Sequence, residues 1–183
     1  RVNIMHTTEL WENIRANRKL FLHKGMANKM KAYAFGQLND CRKCIVSLQP
    51  ILEFEDYYEL PHSITYEQAK AGNFNPLQGG KNGCSMEGDP NIVFECDRYM
   101  ALWNEGLKRT GRFEKQKIHQ MDTKSLYHVF RLVDQAEYVL THNDLDLQDP
   151  SRCEKMKSIR RGEISFPEMQ KWFTEAESRL TRL

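Results

Sequence analysis

A mostly α-helical bundle, interrupted by a glycine- and proline-rich insertion, is the fold class the sequence predicts, and three observations predict it. Apolar residues recur at helical spacing in several separate stretches. Helix-start and helix-stop residues stand where those stretches begin and end. No repeat, low-complexity tract or strand–helix alternation interrupts them. The chain has 183 residues, 40% hydrophobic and 28% charged, enough for a single domain with a sizeable core.

Thr8 is placed to cap a first helix that carries Glu9 and Glu12 in its opening turn. A second, longer helix is expected from about Met26 to Gln49, with Pro50 ending it. Met30, Ala34, Leu38, Cys41, Ile45 and Leu48 fall on one side of that helix, with Gln37 in the same stripe and Tyr33 at its edge. Residues 71–90 hold five of the ten glycines, together with Pro76 and Pro90, and mark an excursion between helices. A helix then restarts near Asn91 and runs to about Leu107. The next start is Asp122, opening a helix to about Thr141 with Leu126, Val129, Phe130, Val133, Ala136 and Leu140 on its apolar face. A short basic helix from Ser151 to Arg161 ends at Gly162. The last helix opens on a capping box, Ser165 and Glu168, with Pro167 in its first turn and Met169, Trp172, Phe173, Ala176 and Leu180 on its buried side. Residues 8–49 and 118–182 are thus the expected core helices of one domain, and 50–117 a variable insertion with one helix near 91–107.

Charge excludes some functions and suggests others. A net charge of +2 is too balanced to announce nucleic acid by itself, but the charge is segregated. Residues 51–69 hold five acids and no Lys or Arg. Residues 106–120 hold Lys108, Arg109, Arg112, Lys115 and Lys117 against a lone Glu114, and residues 152–161 hold five cations, including Arg160 and Arg161. Together these make a basic surface of the kind that meets RNA or nucleotide phosphates. Lys124, His128 and Arg131 stand at i, i+4 and i+7, one row on a helix suited to gripping a phosphate or a carboxylate. No apolar run reaches the roughly 18–20 residues of a membrane helix, and an odd count of five cysteines suits a reduced, cytoplasmic protein. The first residue is Arg1, which suggests a piece of a longer chain.

The remaining motifs are weaker. Cys41 and Cys44 form a C-x-x-C that Cys84 and Cys96 could complete as a zinc site, but Cys41 falls on an apolar helical face and the second pair is eleven residues apart. Asp144, Asp146 and Asp149 lack the Gly and the closing Glu of a calcium loop, so a polar turn is expected. No phosphate-binding glycine loop, nucleophile elbow or H-E-x-x-H occurs.

The order of several strings resembles one family. Asn17-Arg18-Lys19-Leu20-Phe21-Leu22-His23-Lys24 is followed by Tyr33-Ala34-Phe35-Gly36-Gln37-Leu38. Then come Asp122-Thr123-Lys124-Ser125-Leu126-Tyr127-His128-Val129-Phe130-Arg131-Leu132 and Ile159-Arg160-Arg161-Gly162-Glu163. This order is similar to that in the phage and bacterial nucleotidyltransferases of the DNA polymerase β superfamily associated with RNA repair. The resemblance covers roughly residues 8–49 and 118–182. It implies the helical, nucleotide- or RNA-holding half of an enzyme that moves a nucleoside monophosphate from an NTP to RNA or a related acceptor. The family's Gly-Ser turn and D-x-D pair, which hold Mg2+, have no counterpart here, so the resemblance places them in an N-terminal catalytic domain outside this chain. Asp144 and Asp146 have the spacing but sit in a turn after the helix, and are not that pair. By the same resemblance Lys124 and Arg131 would contact phosphate, His128 would orient it, and Tyr33 and Gln37 would shape a pocket or lock helices together. No metal or catalytic residue is expected in this chain itself. A non-catalytic helical module binding RNA or protein, of phage origin for instance, is the rival reading.

Overall fold

The structure, a computed structural model, describes residues 7–70, 90–144, 146 and 149–183. Residues 71–89, where the sequence places the glycine-rich excursion, lie outside them. The described residues are helical and contain no strand. In chain order they form α1 (Glu9–Ala16), a 3-10 turn (Arg18–Phe21), α2 (Lys24–Tyr57), α3 (Tyr66–Lys70), α4 (Pro90–Arg109), α5 (Phe113–Ile118), α6 (Thr123–His142), α7 (Pro150–Arg160) and α8 (Phe166–Arg182). The mostly α-helical class is as expected. The chain divides into two compact units: residues up to Leu38 with Leu126–Leu183, and Asn39–Ser125. Helices α2 and α6 contribute residues to both.

In the first unit the expected faces are buried. Ala34 and Leu38 of α2 are fully or almost fully covered, as are Leu126, Val129, Val133 and Ala136 of α6, Ile159 of α7, and Met169, Phe173 and Ala176 of α8. Phe130 meets Trp172 with ring centroids 4.9 Å apart, and the rings of Phe35 and Phe173 are 6.4 Å apart. Arg179 of α8 donates to Glu137 of α6 at 2.7 and 3.1 Å. The starts of α1 and α8 are closed by the predicted residues, and that of α7 by Asp149, which the sequence placed in a polar turn. Thr8 Oγ1 accepts from the Trp11 amide, and Asp149 Oδ1 accepts from the amides of Ser151 and Arg152. Ser165 and Glu168 form a complete capping box. Gly162, at φ 76°, lets the chain turn back so that the Glu163 amide reaches the Ser158 carbonyl.

The second unit corrects the sequence reading at two points. Pro50 does not end α2, which continues to Tyr57. A proline inside a helix costs about 3 kcal/mol through a lost donor and a ring clash. Its neighbours Leu48, Ile51 and Leu52 are 0%, 1% and 8% exposed, and each such burial is worth about 1.5–3 kcal/mol, so packing outweighs the break. Lys117, grouped with the basic surface, is instead fully buried beside the equally buried Glu55, one of the five acids of 51–69. Its Nζ donates to Glu55 Oε1 at 2.6 Å, and the Tyr99 hydroxyl donates to the same oxygen at 2.6 Å. Around this pair Phe54 stacks on Tyr99 at 4.3 Å, Trp103 stands edge-on to Tyr99, and Phe113 stands edge-on to Trp103. Lys117 Nζ lies 5.0 Å from the centre of the Trp103 ring. Burial pushes the Lys117 ammonium down from its ordinary range and the Tyr99 phenol up.

Candidate functional site

The basic residues singled out by sequence separate into those already engaged and those left available. In the second unit, Arg112 donates to Asp122 Oδ2 at 3.0 Å, a carboxylate that also accepts from Gln116 and caps α6 through the amides of Lys124 and Ser125. Arg112 is therefore committed to a helix start. Arg109 lies over the Phe113 ring at 5.8 Å, and Lys108 is exposed on the last turn of α4. Lys124 is exposed and belongs to this unit, whereas His128 and Arg131, one and two turns further along α6, belong to the first and are half-buried.

Within the first unit α7, with Tyr127 of α6, forms a shallow, open cleft of about 440 Å³ lined by Tyr127, Cys153, Met156, Lys157, Arg160 and Arg161. Four of these, Cys153, Met156, Lys157 and Arg160, are spaced i, i+3, i+4 and i+7, one face of α7. The lining is predominantly apolar, with Tyr127 and Met156 beside the stems of Lys157, Arg160 and Arg161. Arg160 is exposed and makes no ion pair among the described residues. Arg161 is held by two carboxylates: its Nη2 donates to Glu163 Oε2 and to Glu154 Oε1, each at 3.0 Å, and its Nε donates to Glu163 Oε1. Lys157 lies 3.5 Å from Glu154. Hydrogen bonds from Arg161 hold both carboxyls below the usual carboxylate range and raise the guanidinium above its own.

Arg131 packs its guanidinium over the Tyr127 ring at 5.7 Å, at the edge of that lining. Its Nε is buried without a hydrogen-bond partner among the described residues. It also lines a small recess with Asp134, Asp146 and Arg152. Arg152 bridges this recess, donating to the Asp146 carbonyl at 3.2 Å and lying 3.0 Å from Asp134, with its own guanidinium 4.3 Å from the Tyr138 ring centre. Burial raises the Asp134 carboxyl, and Arg152 opposes the shift. The His128 ring stands edge-on to Tyr127 at 5.2 Å. Tyr33 is 60% exposed and Gln37 half-buried; neither lines the cleft.

The other motifs carry no chemistry of their own here. Cys41 and Cys44 are buried in α2, and burial pushes their thiols up to about 12 and about 11, so both are protonated and unreactive at neutral pH. Cys84 and the side chain of Cys96 lie outside the described residues. Asp144 is tied to Arg18 at 3.2 Å and Asp149 is a helix cap, as a polar turn requires. Among the described residues no three His, Cys, Asp or Glu side chains stand close enough to hold a metal ion. They do not fit a two-metal centre.

The sequence reading missed the apolar lining of the cleft. Tyr127 lay inside the resemblance string without a role, and Cys153 and Met156 were hidden among five cations. The spacing of 153, 156, 157 and 160 was the available signal. Compared with known proteins, the chain matches no family model, no curated protein and no solved structure.

Proposed function

We propose that this chain is the helical nucleotide- and RNA-binding portion of a nucleotidyltransferase, holding its ligand while carboxylates of another domain direct nucleoside-monophosphate transfer from an NTP in the presence of Mg2+. The observation that carries the binding half of this reading is the α6–α7 cleft. It sets the ring of Tyr127 and the thioether of Met156 beside Lys157, Arg160 and Arg161. An aromatic face takes a base by stacking, and adjacent cations take the phosphate joined to it. The transferase half rests on the strings around Lys124, His128 and Arg131 and around Ile159–Glu163. Lys124 and Arg131 are then phosphate contacts flanking His128.

The test is single-stranded RNA binding followed by fluorescence anisotropy from 50 to 300 mM salt. Arg160→Ala combined with Arg161→Ala should weaken binding about tenfold or more at low salt, because a hydrogen bond to a charged group is worth about 1.5–3 kcal/mol. Circular dichroism should remain unchanged. Unaltered affinity in that variant rejects the cleft as the site. A second reading, a non-catalytic helical module that binds RNA or protein, rests on the same cleft without the transferase strings. Incubating the full-length protein with RNA, NTP and Mg2+ separates the two: nucleotide incorporation into RNA that falls with Lys124→Ala and Arg131→Ala supports transfer. Binding without incorporation supports the module.

A further inference from the structure

We infer that the α6–α7 cleft takes a single nucleoside monophosphate unit, one base on the apolar lining and one phosphate at Arg160, and that the further phosphates of a triphosphate chain add little to its affinity. The inference rests on the nucleotide-binding reading above and narrows its ligand. Three cations line the cleft, but they are not equally available. Arg161 has its Nε and Nη2 committed to Glu154 and Glu163, and Lys157 shares Glu154 at 3.5 Å. Two carboxylates therefore offset two of the three positive charges, and Arg160 is the cation without an ion-pair partner among the described residues. One unpaired guanidinium matches one phosphate, which it can hold through two parallel N–H donors. A triphosphate brings about four negative charges, and its outer phosphates would approach Glu154 and Glu163.

Free nucleotide and a nucleotide within a strand share this chemistry, so the test uses both. Titration calorimetry on the 183-residue protein at low salt without Mg2+ would compare AMP, ATP and a single-stranded RNA hexamer. ATP should bind no more than about fivefold tighter than AMP, the limit for extra exposed charge pairs. Arg160→Ala should lower AMP affinity about tenfold or more. Glu154→Gln combined with Glu163→Gln frees Arg161, so it should raise the preference for ATP over AMP severalfold. Hexamer binding with the same Arg160 dependence but no AMP binding assigns the cleft to a nucleotide within a strand. AMP binding without hexamer binding assigns it to the free nucleotide. ATP binding far tighter than AMP in the parent protein, or an ATP preference unmoved in the Glu154/Glu163 variant, overturns the monophosphate inference and leaves the nucleotide-binding reading standing. Failure of all three ligands to bind overturns both.

Discussion

Lys117 and Glu55 show how much a single residue's environment decides. With both side chains fully buried, removing one partner strands a charge, and such losses run to about 3–5 kcal/mol. Lys117→Met alone should therefore lower the urea midpoint sharply. Lys117→Met with Glu55→Leu and Tyr99→Phe, which removes both charges and the hydroxyl that donates to Glu55, should recover most of the loss; a triple variant as unstable as the single would mean that the buried pair itself is favourable. Gly106 is a second such position. A Cβ there would stand 2.4 Å from the Phe113 ring, itself 2% exposed, so the ring must move. Gly106→Ala should destabilise by about 1–3 kcal/mol from overpacking, against roughly 1 kcal/mol gained in helix propensity, and thermal melting reads the sign. Neither role was legible in the sequence. Lys117 sits in a run of cations and Glu55 in a run of acids, and a linear scan of charge has no access to a pairing 62 residues apart. Of the three described cysteines the sequence did indicate Cys41 as a core thiol, because its place in the apolar stripe follows from the helical period alone.

Among the helices, local signals were legible and long-range ones were not. The caps of α1, α6 and α8 are short-range devices, a side chain bonding to an amide two or three residues on, and the residue types announced them; the α7 cap, Asp149, works the same way but was hidden in an acidic turn. The continuation of α2 through Pro50 depends on a core supplied by residues 60–113, far along the chain, so the local stop signal misled. The ends at Glu59, Gln120 and Asn143 use the left-handed region without glycine and so gave no glycine signal. The α7–α8 corner has its own pH dependence. Asp149, Glu154, Glu163 and Glu168 are held below the ordinary carboxylate range by hydrogen bonds, first from Ser151, Arg161, Arg161 and Ser165 respectively. Each lowered value means the unfolded chain binds protons first. Their stabilisation is present above the ordinary carboxylate values and is lost as the pH falls through the lower, folded ones. The thermal midpoint should drop as the pH falls below the carboxylate reference values of about 4. Glu168→Gln should shallow that slope, and an unchanged slope would remove the capping box from the account. Ser165→Ala should cost about 0.5–2 kcal/mol at neutral pH.

At the scale of the molecule, the segment that reads as a variable insertion supplies most of a second compact unit with its own aromatic core, centred on Tyr99, Trp103 and Phe113. The expectation of a variable insertion came from its glycines and its acidic run. The expected helix near 91–107 carries Tyr99 and Trp103 at i, i+4, but Leu60, Ile64 and Phe113 stand outside any helical period and join them only by folding. Two units with separate cores could unfold independently, but α2 and α6 each contribute to both. Melting one unit would end each of these helices in mid-run, leaving up to four backbone groups unpaired at each new end. That cost couples the transitions. Fluorotryptophan labelling offers a direct reading: Trp103 reports the second unit, Trp172 the first, and Trp11, half exposed on α1, serves as a reference. In urea the Trp103 and Trp172 resonances should lose their native positions at one midpoint, and Gly106→Ala, although confined to the second unit, should move both together. Two separate midpoints, with Gly106→Ala shifting only that of Trp103, would show that the shared helices do not transmit the loss. The cleft between α6 and α7 would then persist after the aromatic core had melted, and RNA binding would outlast the Trp103 signal.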